Sequence, residues 1–183
     1  MRVYLRRLPG DPGAVNRDLQ QRRRRDYASV MFGDGIRGRL LQGTAESIAQ
    51  HGVERCTVQR VLEASDVSRR TFYKHFRSLG DALDALYDAS IRLVRATVEM
   101  AIAAEQVPQR KLLRALDAYL DLQETGGRLI IALQAEALRP GSPLSDRRVR
   151  LIDQLVTLFE DVTTETLGRR VDPLVFRSFF LGV

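Results

Sequence analysis

The sequence is short of several things at once, and each shortage closes a door. It has one cysteine, Cys56, in 183 residues, so no disulfide can form within the chain, which suits a reducing compartment. It has no apolar run of the roughly eighteen residues that a membrane-spanning helix needs. The opening M-R-V-Y-L-R-R-L-P-G is charged and holds no apolar stretch long enough for a secretory signal. A cytoplasmic protein with no membrane partner is the expectation. No strand-like alternation of any length follows residue 36, and no segment repeats. No Ser/His/Asp or Cys/His arrangement is visible, so no catalytic residue is assigned and an enzyme is not expected. His51 and His75 stand apart from any cysteine or carboxylate at ligand spacing, so neither a metal site nor a cofactor is expected. Lysine is also scarce, with Lys74 and Lys111 the two among 29 basic residues.

What is present is globular in character. An apolar share of 44% and a charged share of 28% are enough to build a core and argue against wholesale disorder. The length suits one large or two small domains. The net charge of +6 is uneven: residues 1–80 hold 16 Arg and Lys against 8 Asp and Glu, whereas residues 81–183 hold 13 against 15. A basic front on a nearly neutral back points to polyanion contact at one end.

Along the chain, residues 1–35 combine turn signals with the run Arg22–Arg25 and lack sustained periodicity. They read as a flexible basic arm able to follow a minor groove or a phosphate line. From Ile36 an apolar face recurs at helical spacing through Leu40, Leu41, Thr44, Ala45 and Ile48, and Gly52 stops it. Thr57 is placed to N-cap a short helix with the face Val58, Val61, Leu62. Ser65-Asp66 breaks that helix, and Ser68 caps the next, with Val67 and Phe76 turned inward. A long helix then runs from the Ser78-Leu79-Gly80 corner to about Ile102. Pro108 opens another, Gly126-Gly127 is expected to separate it from Leu129–Leu138, and Pro140–Pro143 is a loop. A further amphipathic helix ends near Gly168, and Asp172-Pro173 launches the last one, whose apolar face includes Val175, Phe176, Phe179 and Phe180. The expectation is an all-α chain. It comprises the arm (1–35), a three-helix unit with a helix-turn-helix (36–80) and a helical effector-binding and dimerisation domain (81–183).

The pair of helices from Thr57 to His75 has the proportions of a DNA-binding helix-turn-helix. Its second helix, S-R-R-T-F-Y-K-H-F, is basic and aromatic, as a helix entering a major groove about 12 Å wide must be. Arg near its start can reach base edges, while lysine and tyrosine hydroxyls hold phosphates and set the register.

Residues 37–90 resemble the DNA-binding region of the TetR family of bacterial transcriptional regulators. The resemblance is carried by Val67-Ser68-Arg69-Arg70-Thr71-Phe72-Tyr73-Lys74-His75-Phe76, followed by Ser78 and Ala82-Leu83. Upstream, Ala45, Ile48, Gly52, Thr57 and Val58 match in order. It implies a homodimeric repressor that reads a palindromic double-stranded DNA operator with two recognition helices. A small apolar effector in the C-terminal domain would alter their separation. Carried onto this sequence, Arg69, Arg70 and Thr71 are base-edge candidates, Thr57, Tyr73 and Lys74 are phosphate contacts, and His75 serves either role. Ser68 completes the set as the cap of the recognition helix.

Three positions depart from the family. The turn glycine is Asp66, a residue that tolerates the left-handed conformation. The phosphate-holding lysine at the start of the fourth helix is Leu79 beside Gly80, which should weaken non-specific affinity more than specificity, with Arg77 a partial substitute. The family's closing pair of dimer helices is represented by the first alone, from Asp172, so a shortened chain or an unusual dimer is expected. These departures keep open a second reading, a helical protein-interaction module that has lost specific DNA binding. Tyr87, Tyr119, Leu120, Leu133, Leu155, Phe159 and Phe176 are the candidates for lining an apolar effector pocket, and each also suits ordinary core.

Three further patterns have plain explanations. Gly33-x-Gly35-x-x-Gly38 fits a dinucleotide fingerprint only if a βαβ unit surrounds it, and a flexible lead-in loop is expected instead. Asp81, Asp84 and Asp88 share a helical face near a helix N-terminus, where the dipole favours carboxylates without any cation. Cys56 is expected to be a packed side chain.

Overall fold

The structure, a computed structural model, describes residues 31–182, so the run Arg22–Arg25 and nearly all of the expected arm lie outside the described residues. Residues 31–32 are helical. Seven helices follow: α1 (Gly35–His51), α2 (Val58–Ser65), α3 (Arg69–His75), α4 (Leu79–Ala104), α5 (Pro108–Leu138), α6 (Ser145–Leu167) and α7 (Pro173–Gly182). No strand occurs among the described residues. The fold is all-α.

Helix ends fall where the local chemistry puts them. Gly52 ends α1 with φ 79°, and its N–H caps the Ile48 carbonyl. Gly168 ends α6 in the left-handed conformation, which glycine adopts without steric cost. Pro108 stands in the first turn of α5, where its missing N–H is no loss. The expected separation at Gly126-Gly127 takes the form of a kink: two helical stretches, numbered together as α5, meet at Gly127, which departs from helical geometry (φ 48°, ψ −125°). One residue outside the helical basin bends an axis without opening a loop.

The apolar interior forms two clusters whose border ignores the sequence division at residue 80. One joins Leu40, Leu41, Ile48, Val61, Phe72 and Phe76 of the first three helices to Leu86 and Tyr87 of α4, Leu133 and Ala137 of α5, and Leu144. The other joins Val98 of α4 and Tyr119 of α5 to Ile152, Leu155, Val156 and Phe159 of α6 and Phe180 of α7. Helices α4 and α5 thus each belong to both clusters, and α5 changes allegiance at its kink. The last helix turns Phe176, Phe179 and Phe180 onto this second cluster, with Phe180 edge-on to Phe159 and to Tyr119 at 5.1 Å each. Its Leu174, Val175 and Leu181 stay exposed.

Helix α1 is held close to α2 by a glycine that the contact requires. A Cβ at Gly43 would lie 2.9 Å from Ser65 Cβ and 3.0 Å from the Val61 carbonyl oxygen, nearer than real Cβ atoms pack.

Candidate nucleic-acid interface and effector cavity

The corner between α2 and α3 is assembled by three polar residues. The Thr57 hydroxyl accepts from the Arg60 N–H at 3.3 Å and closes the first turn of α2. Asp66 ends α2 at φ 50°, ψ 49°, the left-handed conformation that aspartate visits more readily than most residues. The Ser68 hydroxyl accepts from the Thr71 N–H at 3.2 Å and meets the Thr71 hydroxyl at 2.9 Å. A cap of this kind contributes about 1 kcal/mol.

Helix α3 is only seven residues long, so packing rather than propensity must orient it. Phe72 is fully buried and Phe76 nearly so, with ring centroids 5.7 Å apart. The Arg37 guanidinium of α1 lies 5.1 Å from the Phe76 ring centroid, a cation–π contact that locks the underside further. On the other side Arg69, Arg70, Tyr73, Lys74 and His75 are exposed and Thr71 is half-buried. Tyr73 is 50% exposed while its ring stands edge-on to Phe72 at 5.3 Å. Arg70, Lys74 and His75 have no side-chain partner among the described residues. An aromatic underside and a basic upper face therefore share two helical turns.

Arg69 differs from its neighbour. Its Nη2 donates to Gln59 Oε1 at 3.2 Å, and the Gln59 amide donates to Glu63 at 2.9 Å. Gln59 props Arg69 from the first turn of α2, a role that sequence spacing did not mark because the pair bridges two helices. Arg60, beside it, donates to the Arg55 carbonyl. At the next corner, Ser78 accepts from the Asp81 N–H at 3.1 Å and Asp81 accepts from the Arg77 N–H at 3.0 Å. This reciprocal capping fixes the start of α4. The Arg77 side chain is 93% exposed and pairs loosely with Asp81 at 3.7 Å.

Residues 40–83, from α1 to the first turns of α4, match the family model for bacterial regulatory proteins of the tetR family. This match takes in the first three helices and the start of the fourth, so that region is similar to the DNA-binding part of the family. The solved structures include a similar fold, the crystal structure of a TetR-family transcriptional regulator from Streptomyces coelicolor. The TM-score is 0.63 at 18% identity, over 87% of this chain and 91% of that one. No curated protein matches the sequence.

Behind the helix-turn-helix unit the chain holds two adjoining cavities among α4, α5 and α6. The larger, of about 170 Å³, is walled by Phe32, Leu93, Leu122, Leu129 and Ile130 with few polar atoms. The smaller, of about 80 Å³, is walled by Tyr87, Tyr119, Gln123, Gln134, Arg148 and Leu155. Ser90, Val94, Ile130 and Leu133 line both. Of the residues expected around an effector, Tyr87, Tyr119, Leu133 and Leu155 meet here. Leu120 does not, because it points outward from α5 and is 45% exposed. Phe159 and Phe176 line neither cavity, because they pack ring on ring at 6.0 Å between α6 and α7. Burial pushes the Tyr87 and Tyr119 phenols above their ordinary range, against a weaker opposing pull from Arg148. Sequence reasoning missed Arg148, Gln123 and Gln134, polar residues whose inward aim depends on the rotation of two helices.

The remaining patterns are absorbed by packing. The glycine-rich run is a turn between the helical residues 31–32 and α1, and a Cβ at Gly38 would strike the Gly33 carbonyl oxygen at 2.2 Å. Asp84 and Asp88 both pair with Arg147, the former at 3.6 Å. Cys56 is buried, and that burial raises its thiol pKa, the opposite of what a reactive thiol needs. No described helix is long and apolar enough to cross a membrane.

Proposed function

We propose that this chain is a TetR-family repressor that binds a palindromic operator as a homodimer and is released by a small effector seated between α4, α5 and α6. The carrying observation is the division of α3, where Phe72 and the capping Phe76 anchor a face of Arg70, Tyr73, Lys74 and His75 that no other described residue covers. On this reading Arg69, Arg70 and Thr71 meet base edges, Thr57, Tyr73 and Lys74 hold phosphates, and His75 serves either role. Arg69 is pre-positioned by Gln59. Ser68 acts by capping α3. The exposed Leu174, Val175 and Leu181 of α7 favour pairing with a second copy, since three large apolar side chains on one short helix are costly to leave in water. Release is supported by Leu133, which lines both cavities and sits in the same apolar cluster as Phe72 and Phe76. A ligand against Leu133 presses on the core that holds the recognition helix.

The test is fluorescence anisotropy on a duplex from upstream of the protein's own gene, beside a scrambled duplex, across a salt series. Selective binding that weakens linearly with log[salt] is expected. Absence of binding to either duplex at low salt would overturn the proposal in favour of a protein-interaction module.

A further inference from the structure

The smaller cavity has an unbalanced chemistry. Its tyrosines and its arginine are donors, and none of them meets an acceptor among the described residues. Tyr119 accepts from Gln123 Nε2 at 2.7 Å, which leaves its own hydroxyl hydrogen uncommitted. The Tyr87 hydroxyl has no partner among the described residues, nor has the Arg148 guanidinium. Its neighbour Arg147 takes both nearby carboxylates, Asp84 and Asp88, so Arg148 faces the cavity without a counter-charge. The acceptors left on that wall are neutral: Gln134 Oε1, whose own amide donates to Gln123 at 3.4 Å, and Ser90, whose hydroxyl donates to the Tyr87 carbonyl at 2.7 Å. No carboxylate lines the cavity. Since burial keeps the two phenols protonated at neutral pH, both remain donors. The adjoining larger cavity is the reverse, walled almost wholly by carbon. Its volume of about 170 Å³ is close to that of a cavity known to admit benzene, about 150 Å³.

We propose that the effector is an amphipathic monocarboxylate. Its apolar body, a short alkyl chain or a single aromatic ring, fills the larger cavity, and its carboxylate is held in the smaller one by Arg148 with the Tyr87 and Tyr119 hydroxyls. This rests on the effector-cavity reading above and narrows it from an apolar ligand to an anionic one. Charge-assisted hydrogen bonds in a partly dry site are the strong ones, and a planar guanidinium matches a carboxylate in two-point geometry.

Calorimetric titration of the full chain with octanoate and with octanol separates the two levels, because the ligands share a tail and differ in the head. Octanoate is expected to bind about tenfold or more tightly than octanol. Arg148→Ala should abolish that preference by weakening octanoate and leaving octanol within about twofold. Equal affinities in the unaltered protein, or tighter binding of octanol, would overturn the carboxylate assignment while the effector cavity stands. Failure of both ligands to bind the unaltered protein would overturn the cavity reading too. Should Arg148→Ala lose both ligands together, Tyr87→Phe, which removes one oxygen, carries the same comparison. A selective loss of octanoate there upholds the proposal, and a parallel loss overturns it.

Discussion

At the scale of single residues, the proposed DNA face sorts into groups that act differently. Lys74 is exposed and has no partner among the described residues, a point charge suited to a phosphate. Lys74→Ala should weaken binding to all duplexes alike and flatten the slope of log affinity against log[salt] by about one unit in a salt-series titration. Arg70, near the start of α3, has no side-chain partner among the described residues, and Arg70→Ala should cost about 1–3 kcal/mol on the operator and relax base preference at one position. Arg69 leans on Gln59 at 3.2 Å. Gln59→Ala should therefore reproduce part of the Arg69→Ala defect although Gln59 lies on the other helix, and a selection from randomised duplexes would show it. The exposed basic residues of α3 were legible in the sequence because composition alone marks them. Gln59 was not, since a prop between two helices leaves no period. Arg148 was hidden for the same reason, and beside Arg147 in an arginine-rich helix nothing separates the paired residue from the free one.

At the scale of elements, caps and stops were the most legible part of the molecule. Thr57, Ser68 and Ser78 each accept from an N–H three residues on, a local interaction that local sequence can carry. The left-handed turn at Asp66 followed from the same logic. Asp66 is the one non-glycine residue at positive φ among those described, so Asp66→Gly should stabilise the protein by up to about 1 kcal/mol. Thermal unfolding would register this as a rise of roughly 2–4 °C for a chain of this size. An unchanged or lower melting temperature would mean that Asp66 makes a compensating contact. In α5 the place of the break was legible and its form was not. Two adjacent glycines read as an interruption, but only Gly127 leaves the helical basin, while Gly126 stays helical with Ile130 over it, where a Cβ would meet Ile130 Cδ1 at 2.2 Å. The choice between a loop and a kink rests on what packs around the glycines, which no neighbouring residue encodes.

At the scale of the whole molecule, the kink in α5 joins the two halves. Gly127→Ala would force a side chain into a conformation that L residues rarely adopt, at a cost of about 1–3 kcal/mol, or straighten the helix. Straightening would shift Leu129, Ile130 and Leu133 relative to α4. Gly127→Ala should therefore change ligand affinity and operator affinity together, although Gly127 touches neither DNA nor α3, and paired titrations would show the linkage. Paired changes of this kind are what reciprocity between two coupled sites demands. The apolar cluster that crosses residue 80 could not be read from periodicity, which tells that a face is apolar and not whose face it meets. That shared interior sets a limit on modularity. On the proposed function residues 36–80 carry the letters that read DNA, yet Leu40, Phe72 and Phe76 share one apolar cluster with Leu86, Leu133 and Ala137. Transplanted alone onto another body, the reading head would arrive with half its upholstery missing. Exchange of specificity among such regulators is better sought by swapping the outer face of α3 than by swapping the unit.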